Sequence, residues 1–363
     1  MSDKHGTLLI AGATGVAAQE LIDIVERTPG WNAYGLSRNP PSGTTGAAGK
    51  TQYLKADMLD LHACRDAVRD LEITHIVYAA RAPHTLYTAM LPGEKVGIES
   101  VGPNLDMLRN ITMACQNPAL RHVHAVQGTK WYGLHIGPFP TPAREDHPGH
   151  VPPNYYFDQR KFLVEGAAKH GWTWSVSLPG VINGRRVGTG PNLLSTIGAY
   201  AAICRKLGRP LDFPGKPGAY TALMELSDAS HLAESIFWMC GDAAARNQAF
   251  NVVNGDLFRW QAIWPRIAEY FDMPAGSVRH MPLVQWMSDK AGIWDEIVEE
   301  HGLQRRPLGR VASWGFADFV FSYDYDVISS TTKIRKAGFS PMVDTEEMIF
   351  SQLDHYRGKR LIP

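Results

Sequence analysis

Several things are scarce or missing in this 363-residue chain, and each absence narrows what it can be. Charge of one sign is missing: Lys plus Arg and Asp plus Glu both number 36, so formal net charge is zero. That removes the electrostatic case for nucleic acid or an acidic membrane surface as partner. Cysteine is scarce. Cys64, Cys115, Cys204 and Cys240 stand apart with no Cys-x-x-Cys pairing, which excludes a disulfide frame and a zinc knuckle and predicts reduced thiols in a cytoplasmic protein. No apolar run approaches the ~18 residues of a membrane helix. Residues 1–7 are polar, unlike a secretory signal. Internal repeats and low-complexity tracts are absent too. The remaining composition, 44% hydrophobic and 20% charged, is that of a soluble globular protein.

What is present begins at Leu8. An apolar run feeds into Gly12-x-x-Gly15-x-x-Ala18, and a helical pattern follows through Val25. A strand, a tight turn and a helix N-terminus form an anion site: glycines allow close backbone approach, and the helix end offers free N–H groups. Gly12, Thr14, Gly15 and Val16 are the expected pyrophosphate-binding residues. A second strand, Trp31 to Arg38, ends in Ser37 and Arg38 and carries no acid there. A carboxylate at that point would hold the ribose hydroxyl of NAD, so a basic end predicts NADP. A Gly/Pro/Ser/Thr loop follows from Pro40 to Gly49. A third strand runs Gln52 to Met58, and Asp57 beside Met58 either faces an adenine amino group or caps the helix near Leu61. The run His75 to Ala80 reads as a buried parallel strand whose small last residues, Ala79 and Ala80, let a nucleotide approach.

The alternation continues. A helix spans Val101 to Gln116, with Asn104 either bonding backbone near the site or simply exposed. A strand at Val123 to Val126 runs into Gln127-Gly128-Thr129-Lys130-Trp131-Tyr132. A helix from Asn154 to Glu165 takes Asn154 as its N-cap. A strand from Trp172 to Leu178 closes in Pro179-Gly180-Val181, with Pro179 and Val181 expected near the nicotinamide carboxamide. The pattern predicts an α/β, doubly wound parallel-sheet Rossmann fold over residues 1–185. Residues 186–363 form a smaller, mostly helical substrate-binding region, returning one strand at about 249–253. The loop bearing His135, Glu145, Asp146, His147 and His150 lacks zinc-site spacing and reads as solvated.

Order and detail together resemble the progesterone 5β-reductase/iridoid synthase-like group of extended short-chain dehydrogenase/reductases. Gln127-Gly128-Thr129-Lys130-Trp131-Tyr132 with Gly137-Pro138-Phe139 resembles that group's Gln-Thr-Gly-x-Lys-His-Tyr…Gly-Pro-Phe. Asn154-Tyr155-Tyr156 resembles its Asn-Phe-Tyr-Tyr, and Leu211 to Gly215, Ala249 to Trp260 and Ala312 to Trp314 match later segments. The chain departs in three places: Ala18 replaces the third glycine, the segment before Lys130 is one residue shorter, and Trp131 stands at the usual histidine. The resemblance implies NADPH-dependent reduction of a C=C bond conjugated to a carbonyl, with Lys130 and Tyr155 as catalytic pair and a small apolar enone as substrate. A homodimer stays open.

Chemistry gives an independent route to part of this. Hydride addition leaves an oxyanion, which needs a donor aimed at it. A tyrosine serves if a cation orients it or lowers its pKa. The common Tyr-x-x-x-Lys spacing is lacking, since Gln159 follows Tyr155 and Arg160 follows Tyr156. The cation must then come from elsewhere, and Lys130 at a central strand end is placed for it. Tyr156 with Arg160 is the competing pair. Cleft walls are expected from residues 185–195, 281–294 and 314–321. Two further readings stay open: a carbonyl reductase or nucleotide-sugar epimerase/dehydratase of the same fold, and a non-catalytic NADP-sensing protein.

Overall fold

The computed structural model describes residues 5–41, 51–82, 101–188 and 190–363. The predicted Pro40–Gly49 loop falls, from residue 42 onward, outside the described residues. Six strands run in chain order: β1 (Gly6–Ala11), β2 (Trp31–Ser37), β3 (Gln52–Lys55), β4 (His75–Tyr78), β5 (His122–Val126) and β6 (Thr173–Pro179). With Gln248–Val252 they make one parallel sheet in the order Gln248–Val252, β6, β5, β4, β1, β2, β3. The order reverses between β1 and β4, where open α/β sheets bind ligands beyond the strand C-termini.

Helices cover both faces. On one side α1 (Val16–Arg27) packs on the later helix Ala229–Gly241, burying Leu8, Ile10, Leu21, Ile22 and Phe250 with it. On the other lie α2 (Leu61–Val68), α3 (Val101–Ala114) and α4 (Tyr155–His170), over Leu9, Ile76, Leu108 and Val123. The near-continuous apolar strands follow from this double cover. A third core, built mostly after Val181, surrounds α5 (Leu193–Lys206) and a nest of Phe213, Trp260, Trp264 and Phe321. All four cysteines are free and buried. Among the described residues no helix is long and apolar enough to cross a membrane.

Candidate active site

Two cavities open along the C-terminal edge of the sheet. The first, about 310 Å³, takes in Gly12, Thr14, Gly15, Ser37, Arg38, Asp57, Met58, Ala79 and Ala80, so most of the predicted cofactor residues converge. Gly12 has φ +88°, and a Cβ there would lie 2.8 Å from the Ala80 nitrogen. Only glycine lets the turn rest this close on the end of β4. The turn also bonds back on itself, Gly15 N–H donating to Gly12 O at 3.0 Å. Asp57 is not the helix cap. Asp60 caps α2 by accepting from His62 and Ala63 N–H, while Asp57 accepts from Leu59 N–H at 3.0 Å. The Val16 side chain lines neither cavity and packs against Gly184, while its backbone N–H is the first of α1.

This residue set fits a phosphate-bearing nucleotide. The Ser37 hydroxyl lines the cavity, is buried, and meets no partner among the described residues, and such a group calls for a ligand atom. Arg38 next to it is exposed. The α1 N-terminus has no side-chain cap, leaving its N–H groups for an anion.

The second cavity, about 200 Å³, is lined by Gln127, Gly128, Lys130, Tyr156, Pro179 and Val181, with Phe316, Phe319 and Tyr323 opposite. Arg81 lines both cavities and joins them. The sequence reading had no role for Arg81; its position directly after the small end of β4 was the available signal. Lys130 sits on a 3₁₀ turn, Thr129–Tyr132, just past β5, with its ammonium 5.7 Å from the Phe319 ring.

Of the tyrosine doublet it is Tyr156, not Tyr155, that lines this cavity, with the Tyr323 phenol also on its wall. Neighbours on a helix point about 100° apart, so one of a doublet faces the cleft. Tyr155 is 4% exposed, absent from the cavity wall, and packs edge-on against Tyr156 with ring centres 4.5 Å apart. The Tyr156 hydroxyl lies over Gly128, 3.4 Å from where a Cβ would stand. With Asn154 set on the asparagine of Asn-Phe-Tyr-Tyr, Tyr155 occupies the phenylalanine position.

Asn154 ties these groups together. Its Oδ1 accepts from Tyr156 N–H at 2.9 Å, capping α4. Its Nδ2 donates to Lys130 O at 3.0 Å and lies 2.9 Å from His150 Nε2. Gln127 Nε2 donates to Tyr156 O at 2.9 Å, and Arg160 donates to Gln127 Oε1 at 2.8 Å. The Arg160 guanidinium stacks on Trp131 at 4.0 Å. Burial lowers Arg160 to about 10, which leaves it cationic at neutral pH. Arg160 therefore braces the loop, and Trp131 packs between Arg160 and Phe157 rather than forming cavity wall.

Other expectations change with the tertiary structure. The 281–294 segment supplies core: Leu283, Met287 and Trp294 are at most 2% exposed and line neither cavity. The 314–321 segment does reach the cleft, since Phe316 and Phe319 share a helix face. Asp318 holds that helix by accepting from Leu283 and Val284 N–H at 2.7 and 3.0 Å. Asn104 is buried, and its Oδ1 accepts from Ala82 N–H at 2.8 Å, fixing the chain beside Arg81. The histidine loop is not simply solvated. Glu145 accepts from Asn251 N–H at 2.8 Å, and burial raises its pKa.

A seven-stranded parallel sheet, helices on both faces and a cleft at the strand C-termini define a protein of the Rossmann-fold class. Residues 81–363 match the model of the PRISE-like Rossmann-fold domain, and the chain belongs to that family. It is 32% identical over 377 residues to a 3-oxo-Delta(4,5)-steroid 5-beta-reductase of Arabidopsis thaliana, covering 98% of this chain and 92% of the relative. It is 33% identical over 382 residues to an (S)-8-oxocitronellyl enol synthase of Camptotheca acuminata, covering 99% and 94%. Among solved structures, the UDP-glucose 4-epimerase of Thermus thermophilus in complex with NAD is similar in fold, with TM-score 0.66, 17% identity and coverage of 97% and 99%.

Proposed function

We propose that this chain is an NADPH-dependent reductase of C=C bonds conjugated to a carbonyl, with Tyr156 and Lys130 acting on the substrate oxygen. The observation that carries the reading is the meeting of Tyr156, Lys130 and the Pro179–Val181 strand end in one cavity that continues, through Arg81, into the glycine-turn cavity. The names of the two relatives, a steroid 5-beta-reductase and an enol synthase, support the same chemistry. The chemistry that a nicotinamide would supply when bound is hydride for the substrate β-carbon. Gly12, Thr14, Gly15 and the α1 N-terminus would hold the pyrophosphate, and Ser37 with Arg38 would hold the 2′-phosphate. Tyr156 O–H donates to the carbonyl oxygen and holds the charge that develops there as the enolate forms. Lys130 adds positive charge to the same corner. Asn154 sets the lysine turn against the tyrosine helix. The enolate then takes a proton at its α-carbon from solvent. Phe316, Phe319 and Leu134 supply the apolar surround for the rest of the enone.

The test follows NADPH absorbance with a cyclic enone, a saturated ketone and no substrate. Oxidation is expected with the enone alone. Tyr156→Phe and Lys130→Ala should each lower kcat by about 10²–10³, the cost of losing one oxyanion donor, while Tyr155→Phe stays within a few fold of wild type. Activity that survives Tyr156→Phe and vanishes in Tyr155→Phe refutes the assignment. NADPH binding without turnover on any enone refutes the reductase reading.

A further inference from the structure

Beyond the reaction cavity lies a side chamber of about 340 Å³, larger than the cavity itself. Leu134, Phe319 and Tyr323 line both, so the two share a wall one side chain thick. Tyr325 O–H donates to Leu134 O at 2.6 Å and holds the partition from its far side. The chamber's rim carries Ile136, which is 66% exposed. An isoleucine left this open at a cavity mouth gains free energy when an apolar ligand covers it. Lys216 and Asp324 also line the chamber, an ion pair at 3.2 Å with both side chains roughly half exposed.

We propose that this chamber is a second substrate subsite, which takes an apolar tail on the enone and ends on a neutral hydrogen-bonding group at Lys216 and Asp324. The proposal rests on the reductase reading above. The reaction cavity holds the conjugated carbonyl, and a tail on it reaches the chamber when the Phe319 or Tyr323 side chain of the shared wall turns aside. A terminal hydroxyl accepts from Lys216 and donates to Asp324. A terminal carboxylate meets the Asp324 charge and is disfavoured.

The experiment compares kcat/KM for cyclohexenone with that for cyclohexenones bearing butyl, hydroxybutyl or carboxybutyl tails at each ring carbon away from the enone. Burial of one methylene is worth about fourfold, so the butyl compound should gain on the order of 10²-fold at one attachment point. Hydroxybutyl should exceed carboxybutyl there. The tailed-to-untailed ratio should fall about tenfold in Ile136→Asp, and in Ser322→Trp, which fills the chamber from a residue outside the reaction cavity. If the tryptophan variant fails to fold, the exposed Ile136 position still carries the test. A ratio near one at every attachment point, with cyclohexenone itself turned over, overturns the subsite alone. So does a tail preference that persists in Ile136→Asp. Absence of turnover on every enone overturns the reductase reading and this one with it.

Discussion

Replacing Asn154 separates two roles that one side chain performs. Its Oδ1 caps α4 through Tyr156 N–H, and its Nδ2 bridges to Lys130 O and His150. Asn154→Ala loses the cap, worth about 1 kcal/mol, and leaves the Lys130 carbonyl without this donor, at a further 1–3 kcal/mol or so. A total of about 3 kcal/mol is expected. With an unfolding entropy of about 2.1 cal/mol/K per residue, a chain of 363 residues should melt about 4 °C lower. Asn154→Asp is the sharper probe. A carboxylate still accepts from Tyr156 N–H and remains a good cap, but it has no N–H for Lys130 O. It too leaves the Lys130 carbonyl without its donor, so its melting temperature should fall by about 3 °C, some 1 °C less than in Asn154→Ala, while kcat falls about 10- to 100-fold, because the lysine turn is no longer set against the tyrosine helix. The assays are thermal melting by circular dichroism and enone-dependent NADPH oxidation. Wild-type kcat in Asn154→Asp would refute the bridge.

Two other outcomes test separate parts of the structure. Arg38→Asp should weaken NADPH relative to NADH by roughly 10- to 100-fold, the worth of a charge-assisted bond; equal weakening in a titration of both cofactors would show that Arg38 holds no 2′-phosphate. Glu225 is buried, and burial raises its carboxyl to about 7 even though Ser329 donates to it from both N–H and Oγ–H at 2.7 Å. Its folded pKa lies above the ordinary 4.5, so the folded state binds the proton more tightly. The stability this contributes is complete below about pH 4.5 and is lost as pH rises through about 7. Melting temperature should therefore fall more steeply from pH 5 to 8 in wild type than in Glu225→Gln; parallel profiles refute it.

Much of the scaffold was legible because its signals are local. Apolar runs ending in Gly12 and Ala79, turn glycines and the Asn154 cap are settled by neighbours a few residues away, and the strands of the main sheet appear within a residue or two of where those signals put them, except β3, which ends at Lys55, three residues before the expected Met58. Trp286, Met287 and Trp294 misled because an aromatic stripe looks the same whether it faces a cleft or a core. Contacts from distant elements decide that: Trp294 Nε1 donates to Arg306 O, and Trp286 meets Tyr200. The tyrosine doublet misled for a related reason. Two adjacent phenols are chemically alike, and only the rotation of α4 against the sheet selects between them.

By itself the amino-acid order determined the parallel α/β sheet, the glycine turn under a basic strand end, and the absence of a lysine four residues after either tyrosine of the doublet. Tertiary structure decided which phenol of the doublet shares a cavity with Lys130, that Arg81 joins the two cavities, and that Phe316 and Phe319 line the cleft. The division is physical: helix caps, turns and hydrophobic periodicity act over a few bonds, whereas a cleft is made by side chains up to about two hundred residues apart, as Lys130 and Phe319 are, brought together when three separate cores pack against one sheet.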